Sequence, residues 1–158
     1  MQNVQFILFI LLKKAGLKRG HKVLDLTFKL EDILKPYIGS ENYNIKSDLI
    51  FDFILVYDLF IYNSSIYELK LFFKNIEKIC DKKTKILISV RSTVPFELSK
   101  KTIYEDKQNA YFTIEQFKNI ASDFGFKSNP IRNPERDLFP HVGSPFTGDK
   151  YFFVLIKN

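Results

Sequence analysis

Glycine is scarce in this chain, with only six among 158 residues. The apolar run His21-Lys22-Val23-Leu24-Asp25-Leu26 is followed by Thr27-Phe28-Lys29-Leu30-Glu31-Asp32, and the first glycine beyond it is Gly39. A loop whose backbone N–H groups closely approach a ligand needs residues without side chains, so a glycine-rich cradle is excluded at that point. Cys80 is the only cysteine, which excludes an intrachain disulfide framework and a cysteine-based zinc cluster. A reducing, cytoplasmic compartment is the matching expectation. Two histidines, His21 and His141, are too few for an ordinary histidine-rich metal site, and no metal is expected. The net charge of +6 and pI near 9.3 favour anionic partners. Yet the cations are scattered, with no long basic block and no finger spacing, so nucleic acid is not an expected partner. The apolar stretch Val4–Leu12 is too short to cross a bilayer and its charges, Lys13-Lys14, come after it, so neither a transmembrane span nor a secretory signal is expected.

What the chain has is apolar and aromatic mass, 46% hydrophobic with seventeen Phe and eight Tyr, enough to bury a core in one domain spanning 1–158. Residues 4–18 read as a helix stopping near Gly20. Its apolar positions run almost all round, which suits packing on a sheet. Residues 1–24 hold five Lys or Arg and no acid, so an interfacial helix with a basic end is the alternative. Strands are expected at 22–26, 51–57, 85–90 and 151–156, with a weak one at 127–132. The run at 51–57 is apolar on both faces and belongs mid-sheet. Helices are expected at 30–37, interrupted or kinked by Pro36, at 66–80, and from a Thr113 cap to Gly125. The alternation of helix and buried strand indicates a three-layer α/β domain.

The order of these pieces resembles class I S-adenosylmethionine-dependent methyltransferases. The resemblance rests on Leu12 through Leu26, Phe51 through Phe60, Ile76 through Ile88, Tyr111 through Phe117 and Tyr151 through Ile156. It implies a Rossmann-like open sheet with a final antiparallel strand, S-adenosylmethionine in the crevice beyond the strand ends, and methyl transfer to a small molecule or sugar. Asp25, Leu26 and Thr27 would then lie at the amino-acid part of the cofactor, with Tyr57 and Asp58 across from them. Asn63, Arg91 and His141 would face the substrate. Each has a plainer alternative: Asp25 and Asp58 as supports of the turns after their strands, Arg91 as a solvated charge, His141 as a loop-packing residue rather than a general base. Three departures from the family pattern stand out. Thr27, Phe28 and Lys29 replace its glycines, and Lys46 stands where an acid would accept the ribose hydroxyls. Too few residues separate Ile45 from Phe51 for the usual extra helix and strand, so the sheet should lack an edge pair. These departures support a second expectation, a non-catalytic module of the same fold with a degenerate cofactor site, acting through a homo-oligomeric or other protein contact.

Overall fold

In the computed structural model, residues 2–26, 30–45, 50–57, 66–91, 114–131 and 150–158 are described. They form four helices and one five-stranded sheet: α1 (Gln2–Lys14), β1 (Val23–Asp25), α2 (Glu31–Ile38), β2 (Phe53–Val56), α3 (Ile66–Ile76), β3 (Lys85–Arg91), α4 (Ile114–Asp123), β4 (Phe126–Ile131) and β5 (Lys150–Lys157). The sheet order is β1-β2-β3-β5-β4. Strands β1, β2 and β3 pair in parallel, with the first strand beside the strong apolar one. The last strand, β5, runs against both of its neighbours, so β4 points the same way as β1 to β3.

The sheet is covered on both faces, which is why β2 is buried at every position. On one face Leu8, Leu12, Leu34 and Ile38 of α1 and α2 pack over Val23, Phe53, Leu55, Leu87 and Phe152. On the other, Leu69, Phe73 and Ile76 of α3 meet Phe117, Ile120 and Ala121 of α4 over Ile54, Val56, Ile86, Ile88 and Phe153. Phe73 is the hub of this second layer, its ring centroid within 6.0 Å of those of Phe72, Phe117, Phe124 and Phe126.

The largest departures from the expected boundaries are at the ends of two helices. Helix α1 ends at Lys14, not near 18, because Gly16 takes φ +109°. That geometry lets Gly16 N–H reach Lys13 O and Leu17 N–H reach Leu12 O, a helix stop that also buries Leu17. Helix α3 gives way at Glu77–Ile79 to a tighter 3-10 turn instead of continuing to 80. The weak strand expected at 127–132 is present as β4, shifted by one residue, and accommodates Pro130 because it lies at the sheet edge. The Thr113 cap lies outside the described residues.

Cys80 closes the α3 segment and is 5% exposed. Burial pushes its thiol up to about 12, and the thiolate is the reactive form. Labelling by a thiol-specific disulfide reagent at pH 8 should therefore be at least about 100-fold slower in the native chain than in urea. Equal rates in both conditions would show that Cys80 is not buried in solution.

Candidate functional site

In an open parallel sheet, ligands bind beyond the carboxyl ends of the strands, where successive crossovers leave in opposite directions. That point can be located here. After β1 the chain runs through α2 to Tyr43, which bridges to Val23 in parallel on the outer side of β1. It then crosses back to β2 and proceeds through α3 to β3. The two excursions use opposite faces, α2 on one and α3 on the other. The switch therefore falls between β1 and β2, at Asp25, Leu26 and Tyr57.

Asp25 is fully buried at this rim. Its Oδ2 accepts from the Tyr43 hydroxyl at 2.7 Å and from Leu30 N–H at 3.1 Å. The second bond ties the end of β1 to Leu30, the residue before α2, and fixes the start of that helix. The first pins Tyr43 beneath it. Burial, then the hydrogen bond to Asp25 and the negative charge of that carboxylate, raise the Tyr43 phenol well above its ordinary value. Tyr43 stays neutral and remains a donor across the physiological range.

Asn44 completes the arrangement by acting as a strand. Its backbone N–H donates to Val23 O at 2.9 Å. Its side-chain amide then pairs with the next outward-facing backbone groups of β1: Oδ1 accepts from Asp25 N–H at 2.5 Å and Nδ2 donates to Asp25 O at 3.0 Å. A left-handed backbone at φ +49° turns the amide into place, a conformation that asparagine tolerates better than most residues. One side chain thus satisfies the edge of β1 where an additional strand would hydrogen-bond. Among the described residues the sheet carries no full strand beyond β1, in agreement with the expected missing edge pair.

Other expected site residues are distributed as follows. Leu26 extends the β1–β2 pairing, its N–H donating to Leu55 O at 3.0 Å, and packs partly buried against the α3–α4 layer. Tyr57 is 6% exposed, on the α1–α2 face, with its ring 6.2 Å from that of Phe152. Arg91 ends β3 on the same rim, paired in register with Lys150. Thr27, Asp58, Asn63 and His141 lie outside the described residues, as do Phe28 and Lys46. His21 sits at the far end of β1, its Nδ1 accepting from Lys18 N–H at 3.1 Å. The sequence reading missed Tyr43 and Asn44. Their stretch reads as a turn, and the only available signal was an asparagine suited to a left-handed bend.

A hollow of about 360 Å³ lies between α4 and β4, lined by Glu115, Lys118, Ser122, Lys127 and Ser128 among others. It opens beside Phe126 and Asn158, at the end of the sheet away from Asp25 and Tyr57, and is separate from the switch point.

The strand order, the two-sided helical cover and the antiparallel last strand inserted before the edge define a Rossmann-like fold of the class I methyltransferase type, in shortened form. No protein-family model and no curated protein sequence matches the chain. Solved structures do resemble it. Magnesium protoporphyrin IX methyltransferase from Synechocystis, with bound SAH, is 10% identical with a TM-score of 0.58, covering 99% of this chain and 83% of its own. A candidate sarcosine dimethylglycine methyltransferase from Galdieria sulphuraria is 12% identical with a TM-score of 0.63, covering 99% and 86%. A pericyclic reaction enzyme is 10% identical with a TM-score of 0.52, covering 96% of this chain and 40% of its own. Identities this low establish the fold alone, and the spread of chemistries leaves the reaction open.

Proposed function

We propose that this chain binds S-adenosylmethionine at the β1–β2 switch point and transfers its methyl group to a small molecule or sugar. The observation that carries the reading is the buried Asp25 at the carboxyl end of the first strand, bonded to Leu30 N–H at the start of α2. In this role Asp25 is a positioning residue: it holds the start of α2 against the rim, leaving Thr27 and backbone groups to meet the cofactor. The bound sulfonium would supply the activated methyl group. The chain's task is then to orient a nucleophile in line with it and exclude water, which can lower the barrier without a dedicated base. Asp58 faces the cofactor from the β2 side in this proposal, with Asn63, Arg91 and His141 around the acceptor.

The second reading, a non-catalytic module of the same fold, is favoured by Asn44. Among the described residues, the wall beyond β1 is one bridged residue and one side chain, so little of the described chain flanks an adenosine there. The Lys46 substitution removes an acidic acceptor as well, and a charge-assisted hydrogen bond of about 1.5–3 kcal/mol corresponds to roughly 10–150-fold in affinity. Calorimetric titration of the full chain with S-adenosylmethionine should therefore give a dissociation constant on the order of 0.1 mM, with a matching rise in melting temperature. No heat and no stabilisation at millimolar cofactor would end the catalytic reading. Measurable methyl transfer by a monomer that stays monodisperse over a wide concentration range would end the second.

A further inference from the structure

Helix α1 carries an outward face that the sheet does not explain. A helix apolar on all sides is normally enclosed on all sides, yet α1 buries only the side of Leu8 and Leu12. With 3.6 residues per turn, the opposite side carries Phe6, Ile10 and Lys13, with Lys14 flanking it. Phe6 is 59% exposed there, and Lys13 and Lys14 are exposed in the last turn. Lys18 and Arg19 follow, also exposed. The cations are partly held in place by aromatic rings. Lys13 Nζ stands 5.5 Å from the Phe9 centroid and 5.6 Å from that of Tyr37, and the Arg19 guanidinium is 5.9 Å from the same Tyr37 ring.

Among the described residues, the acids of the neighbouring α2 segment are Glu31, Asp32 and Glu41. Glu31 is bound to Lys35 in the first turn of α2, a helix length from Ile38, whose carbonyl takes Gly20 N–H beside Arg19. Asp52 is engaged by Lys22 N–H. Glu41, just past α2, is the nearest exposed acid in sequence to that end. No helix among the described residues is long and apolar enough to cross a membrane, and α1, at 13 residues, is about 20 Å long.

We propose that the outward face of α1 docks on an anionic lipid surface, lying in the headgroup plane with Phe6 and Ile10 inserted and Lys13, Lys14, Lys18 and Arg19 against the headgroups. The apolar component selects this occupant. A basic patch alone would suit any polyanion, whereas the exposed Phe6 and the half-buried Ile10 on the turns leading into it gain energy only where the anionic surface has an apolar interior.

Flotation with vesicles tests this on the full chain. Binding is expected to equimolar phosphatidylcholine–phosphatidylglycerol vesicles, not to pure phosphatidylcholine, and to weaken as salt is raised. Lys13→Gln with Lys14→Gln should lower the partition coefficient about 25-fold, at roughly fivefold per charge. Phe6→Ser should lower it about tenfold. Both changes lie on the surface, and unchanged melting curves would confirm that the fold is intact. Binding that ignores Phe6→Ser, or binding to a DNA duplex but not to vesicles, would overturn the proposal in favour of a general polyanion site. A dimer that Phe6→Ser dissolves, with no vesicle binding, would assign the face to a second copy instead. Absence of any vesicle binding at low salt also overturns it.

Discussion

Asp25→Ala should destabilise the chain by about 4 kcal/mol in urea unfolding, because the Tyr43 hydroxyl and Leu30 N–H lose a shared ionised acceptor in a buried setting. Asp25→Asn retains an acceptor oxygen and should cost about half as much. Tyr43→Phe removes the donor only and should cost about 1–2 kcal/mol. The two positions should couple in a double-mutant cycle, since they share one bond. Asp25→Ala within 1 kcal/mol of the parent, together with lost cofactor binding, would instead make the carboxylate a direct ligand contact. The same cluster sets an alkaline limit. The Tyr43 phenol is raised in the folded state, so the folded form holds its proton where the unfolded form releases it. Its contribution is full below the unfolded tyrosine value of about 10 and is lost as pH rises above that. Cys80, also raised by burial, acts in the same direction. Stability should therefore begin to decline above about pH 9 through Cys80 and fall further above about pH 10 through Tyr43, less steeply in Tyr43→Phe.

Asn44→Ala should cost about 2–4 kcal/mol through two causes that a second variant separates. It removes both amide bonds to the backbone of Asp25, and it places a Cβ-bearing residue with no compensating side chain at φ +49°. Asn44→Gly relieves the backbone and retains only the loss of the bonds, so it should cost about 1–2 kcal/mol. Either change leaves the outer N–H and C=O of Asp25 without their partner. An uncovered strand edge recruits another strand, so both variants should associate with rising concentration in light scattering while the parent does not. If Asn44→Gly neither destabilises nor associates, the side chain is not sealing β1 in solution.

The local code for the layers was readable because burial leaves a periodic mark. Phe53 through Val56 are apolar on both sides, and Leu69, Phe73 and Ile76 recur at helical spacing, so the central strand and its covering helix could be placed from residue types alone. The antiparallel last strand is what the family resemblance implied rather than what periodicity showed, and it is present in the sheet. Boundaries were less legible. The stop at Gly16 depends on φ +109° and a bond from Leu17 to Leu12, and an apolar pattern continuing through Leu17 hides both.

The site was legible only as a list of strand ends. Asp25, Leu26, Tyr57 and Arg91 do share one rim, because parallel strands present their carboxyl ends together. The sequence by itself thus determined the layer composition, the position of the first strand and its acid, and the shortness of the segment before Phe51. Only the tertiary structure decided that Asp25 anchors Tyr43 across eighteen residues of chain, that Asn44 substitutes for a missing strand, and which side of α1 faces outward. The physical reason is that periodicity reports how a residue relates to its own helix or strand. A side chain that replaces a backbone partner on another segment leaves no period to read.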